Sequence, residues 1–373
     1  IQNILTRKGI GEGAENMKDV DDLHFMERLK HENMKEFGSD YHYIKPCLSD
    51  GRSLLDFFPD SVFFANGRHA IQSLIDENKW KRIWLPEYFC YEVVSAIEKT
   101  GIKVLFYPDN PLNNDETVVP KINYKEGDVL LRINYFGLRG VRTNKGIPVP
   151  VIEDHSHDLI GEWALNSDAD WCIASIRKII PVPEGGIIWS PKKRPLPKIA
   201  SQSEENLLLV KNRWKAMILK SDYLQNKITL KEEFRNLFIE TENQFSSLSI
   251  SPLTSDCMNY LTHFNIEKWV DNKAHNWEIL SVIKSEKMQV LKSEKASCHE
   301  FSFTMLFKNK ETRDSVRHFL IDNDVYPTIL WEIPEEKKNS KDISDRILCV
   351  PCDARYSESI NQLKEYIEKA LNE

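Results

Sequence analysis

Residues 149–158 have the sequence VPVIEDHSHD, an apolar run that ends in acidic side chains and two histidines. Other short apolar runs alternate with segments of helical periodicity, at residues 61–65, 82–85, 103–107, 129–133, 171–174 and 186–189. Short buried strands that alternate with helices are typical of a mainly parallel sheet with helices on both faces. Polar side chains that follow such strands should meet at one edge of the sheet, where α/β proteins bind ligands.

Length and composition restrict the class of protein. The chain has 373 residues, which is enough for one large domain and a smaller one. A formal net charge of −7 without a long basic run argues against nucleic-acid binding. No apolar stretch approaches the length of a transmembrane helix, so we expect no membrane association. Seven cysteines, an odd number, favour a reducing compartment, and we expect a cytoplasmic protein.

The sequence pattern divides the chain into three parts. Residues 1–40 are polar and rich in Lys and Glu, and we expect an N-terminal arm that is partly disordered. Residues 41–245 contain the alternating strands and helices of a large α/β domain. Residues 246–373 contain predicted strands at 301–307 and 346–350 together with amphipathic helices, which indicates a small α+β domain.

The polar end of residues 149–158 has three interpretations. A carboxylate such as Asp154 beside a pyridinium nitrogen keeps that nitrogen protonated, which pyridoxal-phosphate (PLP) chemistry requires. In that case His157 is placed to hydrogen-bond the cofactor. His155, His157 and Asp158 are also suitable ligands for a divalent metal, although no HExxH or paired CxxC motif supplies a further ligand. The third interpretation is a solvated polar strand end.

Residues 174–186 have the sequence ASIRKIIPVPEGG, in which Lys178 lies among apolar residues. Burial lowers the pKa of a lysine and yields a neutral amine that is able to form a Schiff base. Ser175 is placed to bind a phosphate group, and Arg177 would add positive charge if it points inward. By spacing alone, a surface lysine between two strands explains this stretch equally well.

A third polar turn, NGRHA at residues 66–70, lies between a predicted strand and a predicted helix. The free amides and the positive dipole end of a helix N-terminus favour a bound phosphate. Gly67 would allow the backbone to approach that group closely. Many strand–helix turns contain one glycine, so this turn alone does not identify a phosphate site.

Taken in order, these stretches resemble motifs of the DegT-type family of fold type I PLP enzymes, best known as sugar-nucleotide aminotransferases. The resemblance runs from about residue 38 to the end of the chain. It includes a phosphate turn, a Pro-x-aromatic stretch, a Glu-Asp-x-Ala-Gln/His motif and a cofactor lysine followed by Glu-Gly-Gly. The matching stretches are 66–70, 85–90, 134–137, 152–157, 178–186 and 351–356.

The resemblance implies a fold type I PLP-dependent transferase, with a mainly parallel large domain and a smaller C-terminal α+β domain. It implies a homodimer in which the partner chain completes each active site. Lys178 would bond the cofactor and transfer the proton, and Asp154 would meet the pyridine nitrogen. The other implied cofactor contacts are Gly67, Arg68, Phe89, His157 and Ser175. The expected substrate contacts are Tyr88 and Arg355.

Three positions depart from the family pattern, and one of them is Cys90, which lies near where an aromatic ring is typical. Arg68 stands where a small hydroxyl residue is commoner, and Ser175 lies closer to Lys178 than the usual family serine does. We predict an aminotransferase that moves an amino group from a donor such as glutamate to a keto group on a nucleotide-linked sugar, in surface polysaccharide biosynthesis. The alternatives are a PLP-dependent lyase or decarboxylase, a metal-dependent hydrolase that uses His155 and His157, and a PLP-binding regulator without turnover.

Overall fold

The structure is a computed structural model that describes residues 34–113, 119–198, 201–293, 295 and 299–373. The arm predicted over residues 1–40 lies outside the described residues as far as residue 33. Its last residues include a short strand, β1 (Phe37–Gly38), which pairs in parallel with β11 (Val325–Tyr326). Within the described ranges, every helix is too short or too polar to cross a bilayer.

A seven-stranded sheet forms the centre of the first half of the chain. Its strands are β2 (Val62–Phe64), β3 (Arg82–Pro86), β4 (Lys103–Tyr107), β5 (Asp128–Ile133), β6 (Val151–Asp154), β7 (Trp171–Ser175) and β8 (Gly186–Trp189). Their spatial order is β2-β8-β7-β6-β5-β3-β4. Strands β7, β6, β5, β3 and β4 pair in parallel, whereas β8 is antiparallel to both of its neighbours. The mainly parallel sheet predicted from the sequence is confirmed.

The sheet is buried on both faces. Leu130 and Leu131 are neighbours on β5, and both are completely buried, but they belong to separate apolar clusters. Successive side chains of a strand point to opposite faces, so each face has its own core. The helices of the chain are α1 (Leu54–Phe57), α2 (Gly67–Asn78), α3 (Tyr91–Glu98), α4 (Glu162–Leu165), α5 (Glu204–Leu224), α6 (Glu232–Phe245), α7 (Ser255–Thr262), α8 (Ile266–Ser281), α9 (Lys310–Asp322), α10 (Lys338–Arg346) and α11 (Ile360–Asn372).

A second, antiparallel sheet lies in the C-terminal part of the chain. Its strands, in the order β12-β10-β9, are β12 (Ile347–Val350), β10 (Phe303–Phe307) and β9 (Met288–Val290). Side chains of β10 and β12 share an apolar cluster with α9 and α11. Strands β10 and β12 correspond to the strands expected at 301–307 and 346–350. The domain boundaries at residues 41 and 246 stay a prediction.

The turn between β2 and α2 lies directly against the start of β8. The amide of Gly185 donates a hydrogen bond to the carbonyl of Ala65 at 2.7 Å. A Cβ atom on Gly186 would lie 2.2 Å from the carbonyl oxygen of Asn66, so a larger residue at 186 would collide with backbone. The Gly-Gly pair therefore permits the contact that brings the N-terminus of α2 to the end of β7.

Glu184 anchors the same connection from inside the core. Its side chain is completely buried, and its carboxylate accepts hydrogen bonds from the amide of Thr254 at 2.7 Å and from the side chain of Asn206 at 3.1 Å. Burial raises the pKa of Glu184 above its ordinary value. The Glu-Gly-Gly sequence thus combines an internal anchor with the close backbone approach that follows it.

Gly186→Ala should lower the free energy of unfolding by about 1–3 kcal/mol, the usual cost of overpacking a tight interior. Gly67→Ala is the matched control in the same turn. Its new Cβ would lie 3.3 Å from Cβ of Ser175, a side-chain contact that a small shift relieves. Urea denaturation of both variants checks the prediction, and equal losses of stability would contradict it.

Candidate active site

An open cleft with an empty volume of about 910 Å³ lies at the carboxyl ends of β2, β6 and β7. The cleft brings together side chains from stretches that lie far apart in the sequence. The predicted site residues that line it are Gly67, Arg68, Phe89, Asp154, Ser175 and Lys178.

Lys178 ends the short 3-10 turn that follows β7. The hydroxyl of Tyr41 donates to the carbonyls of Lys178 and Ile179 at 3.3 and 3.2 Å, and the indole N–H of Trp269 donates to Ile179 at 2.8 Å. These bonds fix the backbone that directly follows the lysine side chain. Nζ of Lys178 then lies 3.4 Å from Nε2 of His157.

The proton on the His157 ring is assigned from its hydrogen bonds. Nδ1 accepts the backbone N–H of Phe136 at 3.1 Å, and a backbone amide is only a donor. The neutral ring therefore carries its proton on Nε2, the nitrogen that faces Lys178. Burial lowers the pKa of His157 well below its ordinary value, and the charges of Lys178 and Lys273 lower it further. His157 is thus neutral at neutral pH and carries its N–H donor on the nitrogen beside Lys178.

Aromatic rings hold His157 in this orientation. Its ring centre lies 5.4 Å from that of Phe136 and 5.3 Å from that of Trp331, both nearly parallel to it, and 4.6 Å from that of Phe301. Trp331 also lines the cleft, with its ring centre 5.3 Å from Nζ of Lys178. Trp331 was not predicted from the sequence, because it lies in an irregular segment between β11 and α10 that carries no motif.

Asp154 is the last residue of β6, and only one of its two carboxylate oxygens accepts a hydrogen bond from a described residue. One oxygen accepts the amide of Ser156 at 2.9 Å, and no other side-chain hydrogen bond or ion pair of Asp154 involves a described residue. The hydroxyl of Ser156 accepts the amide of Ser175 at 2.8 Å, which ties the end of β6 to the end of β7. The free oxygen of Asp154 is therefore able to accept a hydrogen bond from a cationic group in the cleft.

The N-terminus of α2 meets the same cleft. Oδ1 of Asn66 caps the helix by accepting the amide of His69 at 2.9 Å, whereas Nδ2 of Asn66 is buried without a partner among the described residues. The free amides and the dipole of this 12-residue helix favour an anion. Asn66, Gly67 and Ser175 line this part of the cleft and together suit a phosphate group.

Two arginines lie beside this turn. Arg177 forms a bidentate pair with Glu242 of α6, at 2.6 and 2.7 Å. Arg68 is held more loosely, with Glu242 and Glu92 each at 3.6 Å. Burial opposes ionisation of Glu242, but the charges of Arg177 and Arg213 prevail and lower its pKa to about 2. Arg68 therefore binds protein carboxylates less closely than Arg177 does.

The Pro-x-aromatic stretch contributes Phe89 to the cleft but not Tyr88. Phe89 packs 6.1 Å from Trp331, measured between ring centres. Tyr88 is completely buried, its hydroxyl donates to the carbonyl of Leu330, and its own carbonyl accepts the hydroxyl of Tyr135 at 2.6 Å. Tyr88 thus supports the segment that carries Trp331, and this position conflicts with the expectation that it contacts substrate.

A second chamber, with an empty volume of about 700 Å³, shares Lys178 with the cleft and is also lined by Arg355. Nε and Nη2 of Arg355 donate to the carboxylate of Asp353 at 2.7 and 2.9 Å, and Nη1 donates to the carbonyl of Asp40 at 3.3 Å. Every nitrogen of this guanidinium therefore has a protein acceptor. Arg355 lies near the site as expected, but its charge is neutralised by Asp353.

The metal site considered from His155, His157 and Asp158 is not assembled among the described residues. His155 instead lies 3.2 Å from the carboxylate of Glu153 and near Cys172, and these three form the one cluster of close metal-type ligands in the described ranges. Burial opposes ionisation of Glu153, but hydrogen bonds from His155 and neighbouring polar side chains lower its pKa. The cluster forms a hydrogen-bonded network inside the core.

His69 ties the first turn of α2 to the segment before α7. Its Nδ1 accepts the amide of Ser251 at 3.3 Å, so Nε2 carries the proton and donates to the carbonyl of Leu248 at 3.3 Å. Burial lowers the pKa of His69 to about 4. The ring is therefore neutral at neutral pH, and a second proton on Nδ1 would face an amide donor.

No protein-family model and no curated protein matches the chain. Solved structures match it in fold, at a level of identity that shows the fold alone. PseC of Helicobacter pylori, an aminotransferase involved in the biosynthesis of pseudoaminic acid, is 13% identical. The match covers 91% of this chain and 100% of PseC, with a TM-score of 0.56.

Two further solved structures share this fold. A DegT DnrJ EryC1 StrS aminotransferase from Brucella abortus is 12% identical over 86% of this chain and 88% of its own, with a TM-score of 0.55. NtdA from Bacillus subtilis, solved with bound cofactor PMP, is 11% identical over 88% of this chain and 79% of its own, with a TM-score of 0.54. The chain shares the fold type I architecture of these three proteins, as the motifs predict.

The neutral state of His69 predicts a loss of stability in acid. Because its pKa falls from 6.5 to about 4 on folding, the unfolded chain binds a proton in this range that the folded chain excludes. The free energy of unfolding should therefore fall as the pH drops through this window, by about 3 kcal/mol in total from this residue. Above the window the contribution is complete and independent of pH.

The measurement is urea denaturation of wild type and His69→Gln at several pH values. The difference in stability between the two proteins should shrink toward acid, since glutamine does not titrate. His275→Gln, which replaces an exposed histidine of α8, is the control and should follow the wild-type profile. Parallel profiles for wild type and His69→Gln would rule out the proposed contribution.

Proposed function

We propose that this protein is a PLP-dependent aminotransferase that transfers an amino group from an amino acid such as glutamate to a keto group on a nucleotide-linked sugar. One observation carries the proposal, namely the convergence of Lys178, His157 and Asp154 at the carboxyl edge of the sheet. The fold shared with PseC and NtdA, which are described as an aminotransferase and as a PMP-bound protein, supports it.

Polar atoms in and beside the cleft fit the functional groups of PLP. The free carboxylate oxygen of Asp154 suits a pyridinium nitrogen, since an opposite charge favours the protonated ring. The Nε2–H of His157 suits the ring oxygen. Nδ2 of Asn66, together with the amides at Gly67, suits the phosphate group. Phe89 supplies an apolar wall.

When bound, PLP supplies an electron sink for negative charge at the α-carbon of an amino acid. Lys178 would hold the cofactor at rest, and its Nζ would afterwards take and return the proton at the α-carbon. The turn bonded by Tyr41 orients this amine. His157 stays neutral and donates from Nε2, so it orients groups near Lys178 without competing for the proton.

The proposal extends to assembly and place of action. A homodimer in which the partner chain completes each active site, and a cytoplasmic role in surface polysaccharide biosynthesis, are both implied by the resemblance to DegT-type enzymes. The matched solved proteins support a small-molecule substrate, because PseC is described as acting in pseudoaminic acid biosynthesis.

Lys178→Ala should abolish the visible absorbance band that PLP acquires when it bonds to a lysine. Lys211→Ala removes an exposed lysine of α5 and should leave the band unchanged. The measurement is the absorbance spectrum of each purified protein after addition of PLP. A band that persists in Lys178→Ala would refute the role of this lysine, and a wild type without any band would refute the proposed cofactor.

Asp154→Asn keeps the shape of the side chain but removes its charge. We expect the rate of conversion of L-glutamate to 2-oxoglutarate by the PLP-loaded protein to fall roughly 100-fold, equivalent to about two pKa units of lost charge stabilisation. The PLP band should remain. Release of carbon dioxide instead of 2-oxoglutarate by wild type would favour decarboxylation, and an unchanged rate in the variant would count against the role of Asp154.

A further inference from the structure

The chamber beyond Lys178 contains a second buried lysine. Lys273 of α8 is 4% exposed and lines this chamber together with Lys178 and Arg355. Among the described residues, its ammonium group has neither a hydrogen-bond acceptor nor an ion-pair partner. Burial of an uncompensated charge is costly, and proteins normally pair such a group. Packing alone therefore does not explain a lysine at this position.

Lys220 shows how the same fold buries a lysine with a partner. It is 1% exposed, and its Nζ lies 2.7 Å from the carboxylate of Glu36 and 2.8 Å from the carbonyl of Asp40. The ammonium of Lys220 is thus fully engaged inside the protein. Lys273 is also buried but lines a chamber, which leaves room for an acceptor that comes from outside the chain.

The carboxylates nearest to Lys273 already have other partners. They form the pair Asp353–Arg355 at 2.7 Å, the pair Asp158–His299 at 3.1 Å, and the bond from the Ser293 amide to Glu300 at 3.1 Å. Burial lowers the pKa of Lys273, and these carboxylates oppose that effect only in part. A carboxylate from a ligand would supply the direct ion-pair partner that no described residue provides for Lys273.

We infer that Lys273 binds a carboxylate of the amino acid that reacts at Lys178, an inference that rests on the proposed function. Both lysines line one chamber, and the charges of both act on His157. A substrate whose amino group meets Lys178 would therefore extend into the chamber that Lys273 also lines. A single ammonium matches one carboxylate, whereas phosphate recognition usually uses several donors. Arg355, neutralised by Asp353, shapes the wall of this carboxylate pocket.

Lys273→Met tests the inference because it removes the charge but keeps an unbranched apolar side chain. Glutarate is the probe, since it has two carboxylates and no amino group. We expect its dissociation constant for the PLP-loaded protein, measured by isothermal titration calorimetry, to rise at least about tenfold, the size of one lost charge-assisted contact. The L-glutamate concentration for half-maximal conversion should rise similarly. Lys273→Arg, which keeps the charge, should retain part of the affinity.

Two further readouts separate binding from folding. The PLP absorbance band of Lys273→Met should match wild type, and its thermal midpoint should be equal or higher because an uncompensated buried charge is gone. Lys284→Met, which replaces an exposed lysine just after α8, is the control and should bind glutarate as wild type does.

The outcomes distinguish this inference from the proposed function. Unchanged glutarate affinity in Lys273→Met would overturn the inference, and a lowered thermal midpoint in addition would assign Lys273 a structural role. If the wild type shows no PLP band but still binds glutarate in a manner that depends on Lys273, the carboxylate pocket is supported and only the proposed function fails.

Discussion

The site depends on one backbone contact, the approach of the turn after β2 to the start of β8. The amide of Gly185 bonds to the carbonyl of Ala65, and Gly186 leaves no room for a side chain against Asn66. Because β8 is antiparallel to β2 and β7, its first residues lie at the carboxyl ends of both. One contact therefore places the N-terminus of α2 beside the turn that carries Lys178, although the two lie more than a hundred residues apart in sequence.

Around this contact, the fold fixes which groups donate and which accept. His157 must donate from Nε2 because the amide of Phe136 occupies Nδ1, and burial keeps the ring neutral. Among the described residues, one oxygen of Asp154 has no hydrogen-bond donor and the ammonium of Lys273 has no close acceptor. The cleft and the chamber meet at Lys178. The Lys178 amine therefore has an acceptor (Asp154), a donor (His157) and a cation (Lys273) in its surroundings. Such an arrangement suits a reaction that moves a proton at an atom held next to that amine.

Local sequence predicted the parts of the site that local structure determines. Asp154 ends an apolar strand and Lys178 follows the next strand, so their meeting at one edge follows from parallel topology. Trp331 and Lys273 were not predictable, because an irregular segment and a distant helix bring them to the site through tertiary packing. Tyr88 lies next to a cleft residue but points into the core, a choice of face that an aromatic-rich stretch does not reveal. Asp353, which neutralises Arg355, lies just two positions before it in the sequence.

Arg68 stands where DegT-type enzymes more often have a small hydroxyl residue. This difference changes how a phosphate group would be held, but the turn still offers hydrogen-bond donors for it. A small hydroxyl residue supplies one donor, whereas Nδ2 of Asn66 carries two N–H groups that are not otherwise engaged by described residues. Arg68 adds a guanidinium whose nearest carboxylates, Glu92 and Glu242, lie at 3.6 Å. Since Arg177 occupies Glu242 at 2.6 Å, Arg68 is able to turn toward an anion without breaking a close pair. If the turn binds a phosphate group, as proposed, Arg68 would supply a charged donor in place of the hydroxyl.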